Sequence, residues 1–240
     1  MNYYRYTPII ITLLLALSAC KRTIKDSTAD AYGKVYTIAA MRDVMWKGEL
    51  QGKVLLDTLT PRSGLYGIGP LSGLQGEILV LDGKAYVSRV ADDDRMSVAV
   101  ESDVRAPFFV YANQKQWSKV QIPQDVKTLN NLEAFIKTNN PTDHAFVFKI
   151  NGRMKSAQIH IQNLPDDAIV RNPEEAHRGQ RSYEYNDKEF TAVGFYSESH
   201  HGVFTHHDSN MHIHLITSDF NAMGHLDGIE IEQATLWLPI

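Results

Sequence analysis

The stretch MHIHLITSDFNAMGHLDGIEIE, residues 211–232, decides how this chain is read. MHIHLIT has the length and apolar content of a strand, and residues two apart in a strand point to one face, which sets His212 and His214 side by side. SDFNAMG supplies turn-forming residue types, and Gly224 lets the backbone bend tightly before His225 brings a third imidazole back beside them. Three neutral nitrogens with an open fourth position are the pattern of a catalytic zinc site rather than of a closed structural one. The chain also has ten histidines, and His200, His201, His206 and His207 lie in a polar stretch without strand spacing. Those four read as surface residues of a solvated loop or, secondarily, as adventitious metal binders. Spacing alone leaves both a metal site and a bland histidine-rich region open.

Working outward, the last third of the chain (TAVGFYSESH, GVFTHH, MHIHLIT and IEIEQATLWLP) reads as a run of short strands. HAFVFKINGRMKSAQIHIQ, residues 144–162, has the form of a hairpin turning at Asn151 and Gly152, and the polar segment at 163–190 reads as turn-rich. QDVKTLNNLEAFIKTNN, residues 124–140, places Val126, Leu129, Leu132, Phe135 and Ile136 on one side of a helix. Further upstream, GEILVLDGKAYVSRV is a hairpin turning at Asp82 and Gly83, followed by strand-like stretches at 96–100 and 108–111. Five glycines and a proline in residues 64–76 predict a loop that lets the backbone approach something closely. Glu77 stands where that loop meets its strand, and from the residues alone it reads as a solvent-facing carboxylate. TIAAMRDVMWKGEL, residues 37–50, carries Ile38, Met41, Met45 and Trp46 at helical spacing, which predicts a helix with one buried face. The pattern is α+β and mostly β.

The formal net charge is −4, with both signs interspersed, so there is no basic stripe for phosphates and a small-molecule substrate is the expectation rather than nucleic acid. Residues 1–20 read as a leader: Arg5, an apolar run at 8–17 too short to span a bilayer, then Leu17, Ser18, Ala19 and Cys20. That ending resembles a bacterial lipobox, and Cys20 is the only cysteine, which predicts a lipid-anchored lipoprotein of the cell envelope. An ordinary secretory leader with an incidental cysteine is the competing reading. Residues 21–32 read as a flexible tether, and 33–240 as the folded domain.

GIGPLSGLQGEILVLDGKAY, residues 67–86, resembles the glycine-rich loop, strand and DG turn of the α-acetolactate decarboxylases, whose pattern is of the form GLGTFNxLDGE. MHIHLITSDFNAMGHLDGIEIE likewise resembles their YHLHFIxDDRxxGGHVLDFxLxxG, with the histidine spacing kept without a gap. The resemblance extends from residue 37 to 239. It implies mixed or antiparallel sheets with a few helices, two tightly packed β-rich halves meeting near residue 140, and a metal site in the cleft between sheets. It also implies a zinc ion on His212, His214 and His225, decarboxylation of 2-acetolactate to acetoin, and a homodimer. A Lewis acid stabilises the negative charge left by departing carbon dioxide, and Glu77, at the family's glutamate, would handle the proton.

Three positions depart from the family pattern. His160, with Gln158 polar at the neighbouring same-face position, stands at the family arginine, and an imidazole does not replace a guanidinium fork. Pro70 stands at a loop threonine and has no hydroxyl. The family's tail, which returns a second glutamate to the metal, has no counterpart before Ile240. These departures hold open a diverged enzyme for another 2-hydroxy-3-oxo acid, and a non-catalytic metal- or ligand-binding envelope lipoprotein.

Overall fold

The computed structural model describes Met1 and residues 33–240; the leader, Cys20 and the tether lie outside the described residues. The chain begins with β1 (Val35–Ile38), α1 (Met41–Lys47), β2 (Val54–Leu55), β3 (Leu65–Pro70) and β4 (Glu77–Leu81). β5 (Lys84–Val90), β6 (Met96–Val100), β7 (Arg105–Ala106) and β8 (Phe109–Asn113) follow. Six of these strands form an antiparallel sheet in the order β1-β8-β3-β4-β5-β6, while β2 pairs with β7. After them come β9 (Trp117–Gln121), α2 (Leu129–Asn139), β10 (Phe146–Ile161), α3 (Pro173–Ala176), β11 (Arg181–Tyr196), β12 (Met211–Thr217) and β13 (Met223–Pro239). Their antiparallel sheet has the order β10-β11-β12-β13-β9, and β10 pairs a second time with β13, so β10 to β13 close on themselves. The result is a mostly β protein with three α-helices among the described residues. None of those helices is long and apolar enough to cross a membrane.

Strand alternation sorts side chains onto two faces, and this places the site. One face of the second sheet carries Ile150, Ile159, Ile213, Leu215 and Leu236, against which α2 packs Leu132 and Ile136. The other face carries Val147, Val193, Phe195, Ile216 and Met223, which meet Tyr66, Ile68, Leu79 and Val110 of the first sheet. Each such buried side chain contributes roughly 1.5–3 kcal/mol, so this shared layer is the firm contact between the sheets. His212 and His214 alternate in step with Ile216, and Glu77 with Leu79, so all three point into that layer.

Five local expectations are corrected. Asn151 and Gly152 do not turn: they sit inside β10, opposite Thr191 and Phe190 on one side and Thr235 and Ala234 on the other. A Cβ on Gly152 would lie 2.2 Å from the Gln233 carbonyl oxygen, so this glycine serves a close strand approach instead. Residues 65–70 of the expected glycine loop are β3, buried throughout and paired on both sides, and the loop shrinks to the residues before Glu77. The expected helix at 37–50 is shorter because Ile38 belongs to β1, where it pairs with Phe109; α1 buries Met41 and Val44 and leaves Trp46 exposed. GVFTHH forms a bridged turn rather than a strand, and β11 begins inside the segment read as turn-rich.

Candidate metal centre

The register of three strands builds the centre. His225 on β13 is paired directly with His214 on β12 and, on its other side, with His160 on β10. Residues directly opposite one another in an antiparallel ladder share a face, so His160, His225 and His214 form a row and His212 sits two residues along from it. Gly224 is part of β13 rather than of the turn, and a Cβ there would lie 2.5 Å from the His160 carbonyl oxygen. Its lack of a side chain lets β13 close onto β10 beside the histidines.

His212 Nε2 and His214 Nε2 are 3.2 Å apart. Two ligands of a tetrahedral zinc with bonds of about 2.0–2.1 Å are separated by about 3.3 Å, so this spacing suits a shared ion. The ring of His225 lies 5.0 Å from that of His212 and 5.6 Å from that of His214. Burial holds the pKa of His212 and of His225 well below the ordinary histidine value and pushes that of His214 down to about 3, with charge on His160 adding to the effect for His214 and His225. Neutral imidazoles keep the lone pairs that a metal needs.

His206, expected on the surface, is turned inward: ligand atoms of His206, His212 and His225 lie within 4.8 Å of one another. A second such group joins His160, His225 and Asp227, with His160 Nδ1 2.7 Å from Asp227 Oδ1. His214 belongs to neither group; its Nε2 lies beside that of His212 and 3.6 Å from Glu77 Oε2. The buried Nε2 of His206 has no hydrogen-bond partner among the described residues. Such a polar atom is costly to leave unpaired, and an ion coordinated there would satisfy it. The residues present therefore fit a divalent metal with nitrogen ligands.

Glu77 is not the solvent-facing carboxylate that its position at a strand end suggests; it is 2% exposed. The backbone N–H of Gln162 donates to its Oε1 at 3.2 Å, and its Oε2 is 3.6 Å from His214 Nε2. Burial raises the pKa of Glu77 well above the ordinary glutamate value; the Gln162 hydrogen bond opposes this and the charge of Asp227 adds to it. Pro70 is paired with Glu77 and lines the same cavity of about 30 Å³, together with Met41, Phe108, His160, His206, His212 and His225. Neither arginine nor lysine lines it.

Sequence reasoning missed His206, Gln162 and Asp227. The last two lie two residues beyond His160 and His225, so strand period was a usable signal for them. Gln158, two residues before His160 on β10, is exposed; the pairing with β11 runs unbroken through both, and the register shift beside them is in the pairing with β13. His206 lies in an irregular loop where no periodicity could indicate its direction.

A family model described as alpha-acetolactate decarboxylase matches residues 35–239. An alpha-acetolactate decarboxylase of Bacillus licheniformis is 26% identical over 219 residues, covering 88% of this chain and 79% of that one. One from Streptococcus thermophilus is 28% identical over 204 residues, covering 83% and 80%. The crystal structure of acetolactate decarboxylase from Bacillus subtilis subspecies spizizenii has a TM-score of 0.72 at 24% identity, over 86% of this chain and 85% of that one. A Staphylococcus aureus protein of unknown function, similar to alpha-acetolactate decarboxylase, gives 0.73 at 23% identity over 85% and 84%. At these identities the structural likeness speaks for the fold.

Proposed function

The chain belongs to the alpha-acetolactate decarboxylase family, and from that premise we propose that it is a zinc-dependent carboxy-lyase converting 2-acetolactate to acetoin and carbon dioxide. The observation that carries this reading is the buried Glu77 carboxyl facing His214 at 3.6 Å across the layer between the sheets. His212, His214 and His225 would hold the ion. Bound there, zinc supplies a Lewis acid that stabilises negative charge developing on a substrate oxygen as carbon dioxide leaves. Glu77, whose pKa burial raises well above the ordinary glutamate value, would hold a proton at the carboxyl group for the carbon that loses the carboxylate. The Gln162 amide fixes Oε1, which leaves Oε2 on the side of the histidines. Asp227, on the neighbouring strand of the histidine wall, orients the His160 ring. From the leader sequence alone we place this activity on a lipid-anchored protein of the envelope.

A second reading keeps the chemistry and changes the substrate. Pro70 offers no hydroxyl, and the cavity has no fixed guanidinium for a substrate carboxylate, its polar walls being Glu77, Gln162 and imidazoles. A cavity of about 30 Å³ has room for an ion or a water rather than for a five-carbon acid, whereas a more apolar neighbour of about 170 Å³ shares Met41, Met45, His177 and His206 with it. A substrate reaching the metal by parting that wall could carry a larger apolar group. Incubation of purified protein with 2-acetolactate, before and after chelation and zinc return, tests both readings through acetoin release. Zinc-restored acetoin supports the first. Turnover only of a bulkier 2-hydroxy-3-oxo acid supports the second, and catalysis indifferent to chelation removes the mechanism.

A further inference from the structure

We infer that His206 is a fourth ligand of the metal, delivered from the loop between β11 and β12. The inference rests on the metal centre proposed above and goes beyond its three strand-borne histidines. The His206 ring centroid lies 4.9 Å from that of His225 and 5.8 Å from that of His212. Its Nε2 is buried and without a partner among the described residues, and its ligand atom is within 4.8 Å of those of both other rings. Small side-chain rotations bring such atoms to the separation of about 3.3 Å that a tetrahedral zinc requires.

The loop aims this side chain by backbone bonds rather than by chance packing. Its neck is closed where the Ser197 N–H donates to the Asn210 carbonyl at 2.8 Å, and the Gly202 N–H donates to the Thr205 carbonyl at 2.8 Å just before His206. The first amides of α1 lock it from outside: Met41 N–H donates to Val203 O at 2.8 Å and Arg42 N–H to Gly202 O at 2.9 Å. The other histidines of the loop are spent or turned away. His200 pairs with Ser197 at 2.8 Å, His201 with Asn210 at 2.9 Å, and His207 is exposed.

The alternative fourth donors are engaged. Asp227 bonds His160 through Oδ1 at 2.7 Å, and Glu77 accepts from the Gln162 backbone amide through Oε1 and keeps Oε2, 3.6 Å from His214 Nε2, for the proton step. A fourth imidazole brings no negative charge to the ion, but it takes the position that three histidines leave open, so substrate would bind by expanding the ion to five-coordinate or by displacing His206. His206 also lines the metal cavity and its neighbours of about 170 and 280 Å³. Coordination would therefore pin a shared wall, so that metal loading shapes access to the site.

X-ray absorption on the zinc-loaded full chain counts the imidazoles directly, and four rather than three is the expected result. In parallel, zinc affinity and the visible spectrum of the cobalt-substituted protein are measured for His206→Ala, His212→Ala and His207→Ala. His206→Ala should lose roughly 10- to 100-fold in zinc affinity, at least what removal of an outer-shell partner costs, and should alter the cobalt spectrum. Added imidazole should restore that spectrum, and His207→Ala should match the wild type. Three imidazoles in the wild type, or His206→Ala binding zinc with unchanged affinity and spectrum while His212→Ala loses it, overturns the ligand role and leaves the three-histidine centre standing. Zinc binding that survives His212→Ala overturns the centre itself.

Discussion

The two walls of the site are built in different ways. The histidine wall is assembled almost entirely by local register: β12, the turn at 218–222 and β13 lie within one hairpin, and β10 adds His160 by pairing directly with His225. The Glu77 wall comes from the other sheet, and it reaches the histidines only because Leu79 and Ile68 pack on Ile216 and Val193. A ligand set held by backbone hydrogen bonds is robust to changes in packing, whereas a carboxyl delivered across a sheet-to-sheet contact depends on it. The comparison predicts that substitutions on the first wall remove the metal, and that those on the second remove turnover while leaving the metal in place.

The largest effect is expected at the hairpin. His225→Ala leaves the row without its central member and should abolish stoichiometric zinc, measured by metal analysis after dialysis; a full equivalent retained at the same site would falsify the assignment. Next in size is Glu77→Gln, which should keep fold and metal but lower turnover by a factor of ~10² to 10⁴. The wild type should also lose activity as pH rises through the raised pKa of Glu77, and the variant should lack that limb. Stability follows the same sign: the folded protein keeps a proton that the unfolded chain gives up above the ordinary glutamate pKa, so the contribution of Glu77 fades as pH rises from there through the raised value. An unchanged pH profile in Glu77→Gln would show that the carboxyl is not the proton carrier.

Asp227→Asn should be milder, roughly 10- to 100-fold in activity or metal affinity, because it frees the His160 ring without removing a ligand. An effect below twofold would mean that the pair does not orient the site. The histidine wall should reveal itself in acid without any substitution. His212, His214 and His225 have folded pKa values below the ordinary histidine value, so the stability they contribute is complete above that value and is lost as pH falls through their own. Each imidazole protonated only in the unfolded chain steepens the loss by about 1.4 kcal/mol per pH unit, which denaturant titration of the metal-free protein from pH 7 downward measures. A flat dependence would mean that the histidines are not buried neutral. The smallest effect is expected for Gln158→Ala, within about twofold in turnover, since surface substitutions of this kind usually change stability by no more than about 0.5 kcal/mol. A large loss there would mean that Gln158 reaches the site from the His160 face of β10.

Much of this was legible because it obeys short-range rules. The hairpin at Asp82 and Gly83, the helix around Leu132 and Ile136 and the strand carrying His212 and His214 follow from turn chemistry and periodicity, which act over a few residues. The Asn151-Gly152 pair misled, since the same dipeptide that favours a tight turn also permits close strand approach, and the partner strands that choose between the two lie some forty and eighty residues away. The residues of β3 read as a loop for a similar reason: the pairing with β4 and β8 that makes them a strand involves segments outside any local window.

By itself the sequence determined the mostly β class, the spacing of His212, His214 and His225, and the family, because these depend on which residues stand two or eleven apart along one chain. Only the tertiary structure decided that Glu77 is buried, that Asp227 holds His160, and that His206 faces inward while its loop neighbours do not. Burial and loop direction are set by contacts between segments remote in sequence, and no local pattern carries that information.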